Sequence, residues 1–271
     1  MKNIVITGAT GVICREFAKA LAKRGHTVAM IARHKEALLA LKEEICKAGG
    51  RAFCYIADVT DAQQMKNVHD EISNEIGRCD ILINGAGGNH PCATTQTESF
   101  DPNAAPDELN FVNLSQEGFS HVFDINLWGT VLPCQVFVPD MVGRDGCCIL
   151  NISSMAAFSP LTKTPAYCAA KAGISNFTQW LAVHLATSKI RVNAIAPGFF
   201  LTNQNRVLLT NEDGSLTPRA KKILCGTPMG RFGKAEELVG AVEFLLDEQK
   251  SGFITGCVLP IDGGFSAYSG V

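Results

Sequence analysis

Short apolar runs rich in β-branched residues recur along the chain and alternate with longer stretches whose apolar positions follow a helical period. The runs are NIVIT (3–7), TVAMIA (27–32), RAFCYIA (51–57), DILIN (80–84), CCILNIS (147–153), IRVNAIAP (190–197) and CVLPID (257–262). Between them, 12–24, 35–48, 61–76, 165–187 and 235–247 read as helices. Strands that are apolar on both faces and alternate with helices imply an α/β fold. Its sheet is parallel and covered on both sides. Right-handed crossovers then wind the helices onto both faces, giving a doubly wound, Rossmann-like sheet.

Two stretches interrupt the rhythm. Residues 88–118 are polar and rich in turn formers, and 198–230 run on from a strand end through NEDGS and TPMG. Insertions of this length commonly carry function, so 88–118 is expected to be a substrate loop and 198–230 a lid. With no repeat and no Pro/Ser linker, residues 1–271 read as one domain.

Composition narrows the class. The net charge of −2 gives no field that would attract nucleic acid. The apolar runs are strand-sized, far short of a membrane span. The chain opens on a strand pattern, so no signal peptide is expected. Eleven cysteines are scattered, and Cys14, Cys134, Cys168 and Cys257 lie inside apolar runs. They read as buried free thiols in a reducing cytoplasm. Neither Cys147–Cys148 nor any C-x-x-C pair forms a metal-binding pattern, so no metal is expected. His26, His69 and His121 read as surface or core residues, and Trp128 and Trp180 as packing residues.

IVITGATGVICREFAKALAKRG reads as strand, glycine turn and helix. Gly8 would let the backbone turn sharply, and free N–H groups at the helix start suit a pyrophosphate. The second strand ends at Ala32, where a carboxylate would favour NAD, and Arg33 follows. A guanidinium there can pair with a 2′-phosphate or stack on the adenine. NADP is therefore the expected cofactor, with NAD the alternative.

In TPAYCAAKAG, Pro165 suits the first turn of a helix and Thr164 its N-cap. Tyr167 and Lys171 then lie on one face. A phenol titrating near pH ~10 is a poor base at neutral pH, and a neighbouring ammonium would lower that value. Such a pair can move a proton to or from a carbonyl oxygen. Ser154, at the end of CCILNIS, could donate to the same oxygen as charge develops. Ser153 is the weaker candidate, one residue off.

Taken together, these motifs resemble the classical short-chain dehydrogenase/reductases along the whole chain. The Y-x-x-x-K pair is joined by Ser154, by Asn126 in DINLWGT and by NAIAPGFF. The resemblance implies a catalytic tetrad of Asn126, Ser154, Tyr167 and Lys171. In it Lys171 also binds the nicotinamide ribose, and Asn126 holds a water linking Lys171 to solvent. On the family's TGxxxGxG loop, Thr7 and Gly8 match, whereas Val12 and Cys14 stand where glycines are usual. Gly11 is expected to supply the close approach. On its NNAG motif, Asn84, Ala86 and Gly87 match, and Gly85 replaces the second Asn. The implied cofactor contacts are Thr7, Gly8, Gly11, Val12 and Ile13, then Arg33, Asp58 and Val59, then Asn84, Ala86 and Gly87. Tyr167, Lys171, Pro197, Gly198 and Thr202 complete them. The family also implies a homotetramer. The long apolar helices 110–140 and 165–187 and the apolar tail CVLPIDGGFSAYSGV would bury its interfaces.

The substrate pocket is expected between loop 88–96, residues 155–166 and the lid. Its polar and cationic candidates are Asn89, His90, Lys163, Asn203 and Arg206, which together suit a small keto sugar acid. GAGGNHP, PGFFLTNQNRVLLT and TPMGRFG resemble the short-chain type of D-mannonate oxidoreductase (fructuronate reductase). That likeness implies reduction of D-fructuronate to D-mannonate, with Arg206 or Lys163 on the carboxylate. The alternatives are a reductase of a keto-gluconate or a 3-oxoacyl thioester, and a non-catalytic nucleotide sensor.

Overall fold

The computed structural model describes residues 1–103, 105, 107–201 and 209–270. Seven strands form one parallel sheet: β1 (Asn3–Thr7), β2 (Thr27–Ala32), β3 (Arg51–Ile56), β4 (Ile81–Asn84), β5 (Cys147–Ile152), β6 (Ile190–Pro197) and β7 (Val258–Ile261). Their order is β3-β2-β1-β4-β5-β6-β7. The sheet is thus wound outward in both directions from β1 and β4. Crossovers diverge there and leave a crevice beyond the strand ends, where ligands of open α/β sheets bind.

Alternate residues of each strand feed two cores. Ile4, Ile6, Val28, Met30 and Leu150 point to one face, where α1 (Val12–Lys23) and α2 (Lys35–Lys47) cover them. Val5, Ala29, Ile31, Leu82 and Ile149 point to the other, under α3 (Ala62–Glu75), α5 (Gly129–Met141) and α6 (Pro165–Leu185). A strand between two apolar layers needs no polar face, which explains the unbroken apolar runs.

The single long helix expected over 110–140 is instead broken into pieces. A 3-10 turn spans Phe111–Asn113, α4 covers Gln116–Phe123, and a π-helical turn at Asp124–Trp128 leads into α5. The break at Ser115 is chemical: its hydroxyl accepts from Gly118 N at 3.0 Å and starts a new helix. The segment 235–247 likewise divides into a 3-10 turn, Ala235–Leu238, and a helix, Val239–Leu246. Within the expected lid, Pro218–Cys225 is helical, opened by Pro218 and capped by Thr217 on Ala220 N.

Trp128 and Trp180 are exposed rather than packed inside, at 41% and 57%. Trp180 stacks on His184 with ring centres 4.8 Å apart. Cys257 is only partly buried. Part of the tail turns back on its own chain, with Phe265 against Phe199 at 5.3 Å. No described helix is long and apolar enough to cross a membrane.

Candidate active site

The β1–α1 turn, the ends of β2 and β3 and the β4 turn enclose a cleft of about 260 Å³ at the C-terminal edge of the sheet. Its walls include Gly8, Gly11, Arg33, Asp58, Val59, Ala86 and Gly87 from the expected set. Sequence reading missed Thr10, Ala32, His34, Ala57, Gly85 and Ile125. Most of these sit at a strand end or within three residues after one, so strand position was the signal available for them.

The backbone is unusually close-set here. Gly8 has φ +62, and a Cβ on it would stand 2.7 Å from the Ala86 backbone. Only glycine accepts both that dihedral and that approach. Gly11 caps α1 with no side-chain hydrogen bond, which leaves first-turn N–H groups free toward the cleft. Gly87 lies between two expected site residues: a Cβ on it would be 2.6 Å from Asn126 Oδ1 and 3.4 Å from Lys171 Nζ. A glycine-walled cleft against a helix N-terminus fits a dinucleotide.

Several expected cofactor contacts support the cleft from behind. Thr7 is fully buried, and its hydroxyl accepts from Gly85 N and Ala86 N at 3.1 and 3.3 Å. It therefore ties β1 to the β4 turn rather than reaching into open space. Asn84 is buried too and donates to Asn151 Oδ1 at 2.9 Å and Cys134 Sγ at 3.2 Å. Ile13 packs against the core, and Val12 is half-buried. Pro197 is buried in β6, and Gly198 is pressed against Asp262. Thr202 lies outside the described residues.

Arg33 is 57% exposed on its side chain, with its guanidinium 3.8 Å from Asp58. Burial would raise the Asp58 carboxyl, but donation from the Thr60 backbone and hydroxyl, together with Arg33, holds it below its ordinary value. Asp58 thus stays ionised beside Arg33.

The four residues of the implied tetrad converge next to this cleft. Asn126 is fully buried in the π-helical turn and donates to Gly88 O and Val122 O at 2.7 and 2.8 Å. Its Oδ1 accepts from Gly88 N at 3.3 Å, so it clamps the turn that follows Gly87. Lys171 is buried and donates to Ile152 O at 2.8 Å. Ser154 lies beside Tyr167 and lowers its phenol, and its Oγ accepts from Ala156 N at 3.1 Å. Ser153 faces away, bonded to Lys171 O at 3.1 Å and Ser175 Oγ at 2.7 Å. Pro165 opens α6, while Thr164 stands at the cap position without capping and faces Cys168 Sγ at 3.6 Å.

The electrostatics reverse one expectation. Lys171 stands 5.6 Å from the Tyr167 ring centre, yet the phenol is raised, not lowered. Burial drives that rise and outweighs the lowering by Ser154. Burial also lowers Lys171 to about 8. Low dielectric disfavours both charged forms, so the protein by itself holds a protonated phenol beside an amine that titrates near neutral pH. That state is suited to donating a proton.

The substrate candidates are more scattered. Asn89 donates to Thr94 Oγ1 at 2.8 Å, and the rings of His90 and His121 lie 4.8 Å apart. Lys163 adopts a left-handed conformation, φ 72, and donates to Gln96 O at 2.7 Å. Thr95 N bonds back to Lys163 O at 2.9 Å, clasping the loop to the turn before Tyr167. Glu98 pairs with Lys222, joining that loop to the helix Pro218–Cys225. Asn203 and Arg206 lie outside the described residues. Beside Tyr167 lies an apolar cluster that includes Met155, Leu161, Phe199 and Phe265.

The family model for short chain dehydrogenases matches residues 2–213. The chain belongs to the short-chain dehydrogenases. An uncharacterized oxidoreductase of Haemophilus influenzae is 53% identical to this dehydrogenase over all of it and 95% of the relative. A 3-oxoacyl-[acyl-carrier-protein] reductase of Thermotoga maritima is 33% identical over 97% of each chain. A crystal structure from Haemophilus influenzae, described as a candidate D-mannonate oxidoreductase with bound NAD, superimposes with a TM-score of 0.97 at 52% identity. That match covers all of this dehydrogenase and 96% of the other chain. The protein is thus an NAD(P)-dependent oxidoreductase of this family.

Proposed function

We propose that this dehydrogenase reduces a keto sugar acid, D-fructuronate to D-mannonate, with NAD as cofactor and NADP also accepted through Arg33. The observation that carries the reading is the full-length likeness to the NAD-bound Haemophilus influenzae structure described as a candidate D-mannonate oxidoreductase. A reduced nicotinamide held in this cleft would supply the hydride. Tyr167 donates the proton that the substrate oxygen needs as hydride arrives, and Ser154 holds that oxygen beside the phenol. Lys171 is anchored on Ile152 O, one helical turn from the phenol. Because Lys163 already serves Gln96, Arg206 is the carboxylate partner in this reading.

A second reading, a 3-oxoacyl thioester reductase, is favoured by the apolar cluster of Met155, Leu161, Phe199 and Phe265 packed with Tyr167. Initial rates with NADH and NADPH on D-fructuronate, a keto-gluconate and an acetoacetyl thioester separate the two. The proposal expects kcat/KM for D-fructuronate to exceed that for the thioester by at least about a hundredfold. A faster thioester reaction overturns it.

Two further features belong to the same reading. The exposed Trp128, Trp180 and Val183 support burial of these helices in a homotetramer. The eleven free thiols support a reducing, cytoplasmic setting.

A further inference from the structure

Two departures from the family motifs, Cys14 in the glycine loop and Gly85 in the β4 turn, meet at one point. A Cβ built on Gly85 would land on the Cys14 sulfur and stand 3.1 Å from the Thr7 carbonyl oxygen, while the Cys14 Cβ itself would be 3.6 Å away, an ordinary contact. The glycine usual at position 14 lets helix and strand pack closely. Here the room has moved across the interface: the helix carries the extra atom and the strand end gives it up. Cys14 is 3% exposed among core residues, so the sulfur has no open space to rotate into. Its thiol is pushed up to about 12 by burial and stays neutral.

The consequence reaches the cleft through three linked contacts. Gly85 N and Ala86 N share the Thr7 hydroxyl. Gly8 is packed on Ala86, and Gly87 fits between Asn126 and Lys171. A displacement of Gly85 therefore moves the whole nucleotide-facing wall.

We infer that Cys14 is a positioning residue for the dinucleotide site: its sulfur fills the notch left by Gly85 and sets the height of the 85–87 turn. The pair works as a unit. Either partner changed alone misplaces the turn, and moving the atom back across the contact removes the clash with the sulfur, leaving only the tight 3.1 Å approach to Thr7 O.

The test is a cycle of Cys14→Ala, Gly85→Ala and the double variant. NADH affinity is read by fluorescence titration, and thermal midpoints are taken on the same samples. No substrate is needed, so the outcome is independent of which carbonyl is reduced. Gly85→Ala is expected to weaken NADH binding by about tenfold or more, and Cys14→Ala by about threefold. The double variant is expected to return to within about threefold of the original protein. Should Gly85→Ala fail to fold, recovery of folding and NADH binding by the double variant supports the inference. It is overturned if the double variant binds no better than Gly85→Ala, if it too fails to fold, or if Gly85→Ala binds NADH normally. Affinity that changes only with the folded fraction also overturns it, since that is the mark of general packing.

Discussion

Lys171 and Tyr167 stand one turn apart on α6, yet the ammonium bonds to the Ile152 carbonyl at 2.8 Å and lies 5.6 Å from the phenol ring centre. The lysine is held by the end of β5, while the phenol lies beside Ser154. The helix fixes their spacing, and the sheet fixes where each is anchored.

Removing the phenol should cost the proton transfer and little else. Tyr167→Phe keeps the ring among Met155, Leu161 and Phe199. Its kcat on the best keto acid should fall at least about a hundredfold, with NADH affinity changed less than about threefold. Stopped-flow absorbance and NADH titration check the two halves. An unchanged kcat would sink the acid role.

Burial of Lys171 has a pH signature in stability. Its value falls from 10.5 in the unfolded chain to about 8 in the folded one. Between those values the unfolded chain holds a proton that the folded protein lacks, so this group makes stability rise with pH. Below about 8 the full cost of the buried ammonium is present. Lys171→Met escapes that cost. Its stability relative to the original protein should decline by on the order of 2 kcal/mol between pH ~7 and ~9.5. Urea denaturation at several pH values measures it, and a pH-independent difference would refute the account.

Arg33 offers a selective test of cofactor use. Its side chain is 57% exposed beside Asp58, and the proposed function has it pair with a 2′-phosphate. Arg33→Ala should weaken NADPH binding at least about tenfold and NADH binding less than about threefold. Equal losses would make Arg33 an adenine-stacking residue instead.

Behind the site, Asn151 bridges Asn84 at 2.9 Å and Thr178 at 2.9 Å, and all three are buried. Asn151→Leu leaves both neighbours without that partner. It should lower unfolding free energy by about 2–4 kcal/mol, because unsatisfied buried polar groups keep their desolvation cost. Guanidinium denaturation checks this, and a loss below about 1 kcal/mol would mean water replaces the bridge.

Much of this architecture was readable from local pattern. The runs 3–7, 27–32 and 190–197 coincide with β1, β2 and β6. A strand covered on both faces leaves an unbroken apolar signature that depends on nothing distant. The Tyr167–Lys171 spacing was equally local, since helix geometry alone puts both on one face. The sequence by itself therefore determined the order of elements, the family and which residues could act together at the strand ends.

Tertiary structure decided what each group experiences. Position along the chain could not tell that Thr7 and Asn84 hold the cleft from behind, or that 110–140 is interrupted at Ser115. Nor could it tell that Tyr167 is raised rather than lowered, because burial is a sum over neighbours far apart in the chain. The meaning of Cys14 and Gly85, seventy-one positions apart by number, likewise appears only where helix and strand end touch. Side-chain spacing is set by the backbone's own geometry, whereas dielectric, contact and room to move are set by whatever the fold places alongside.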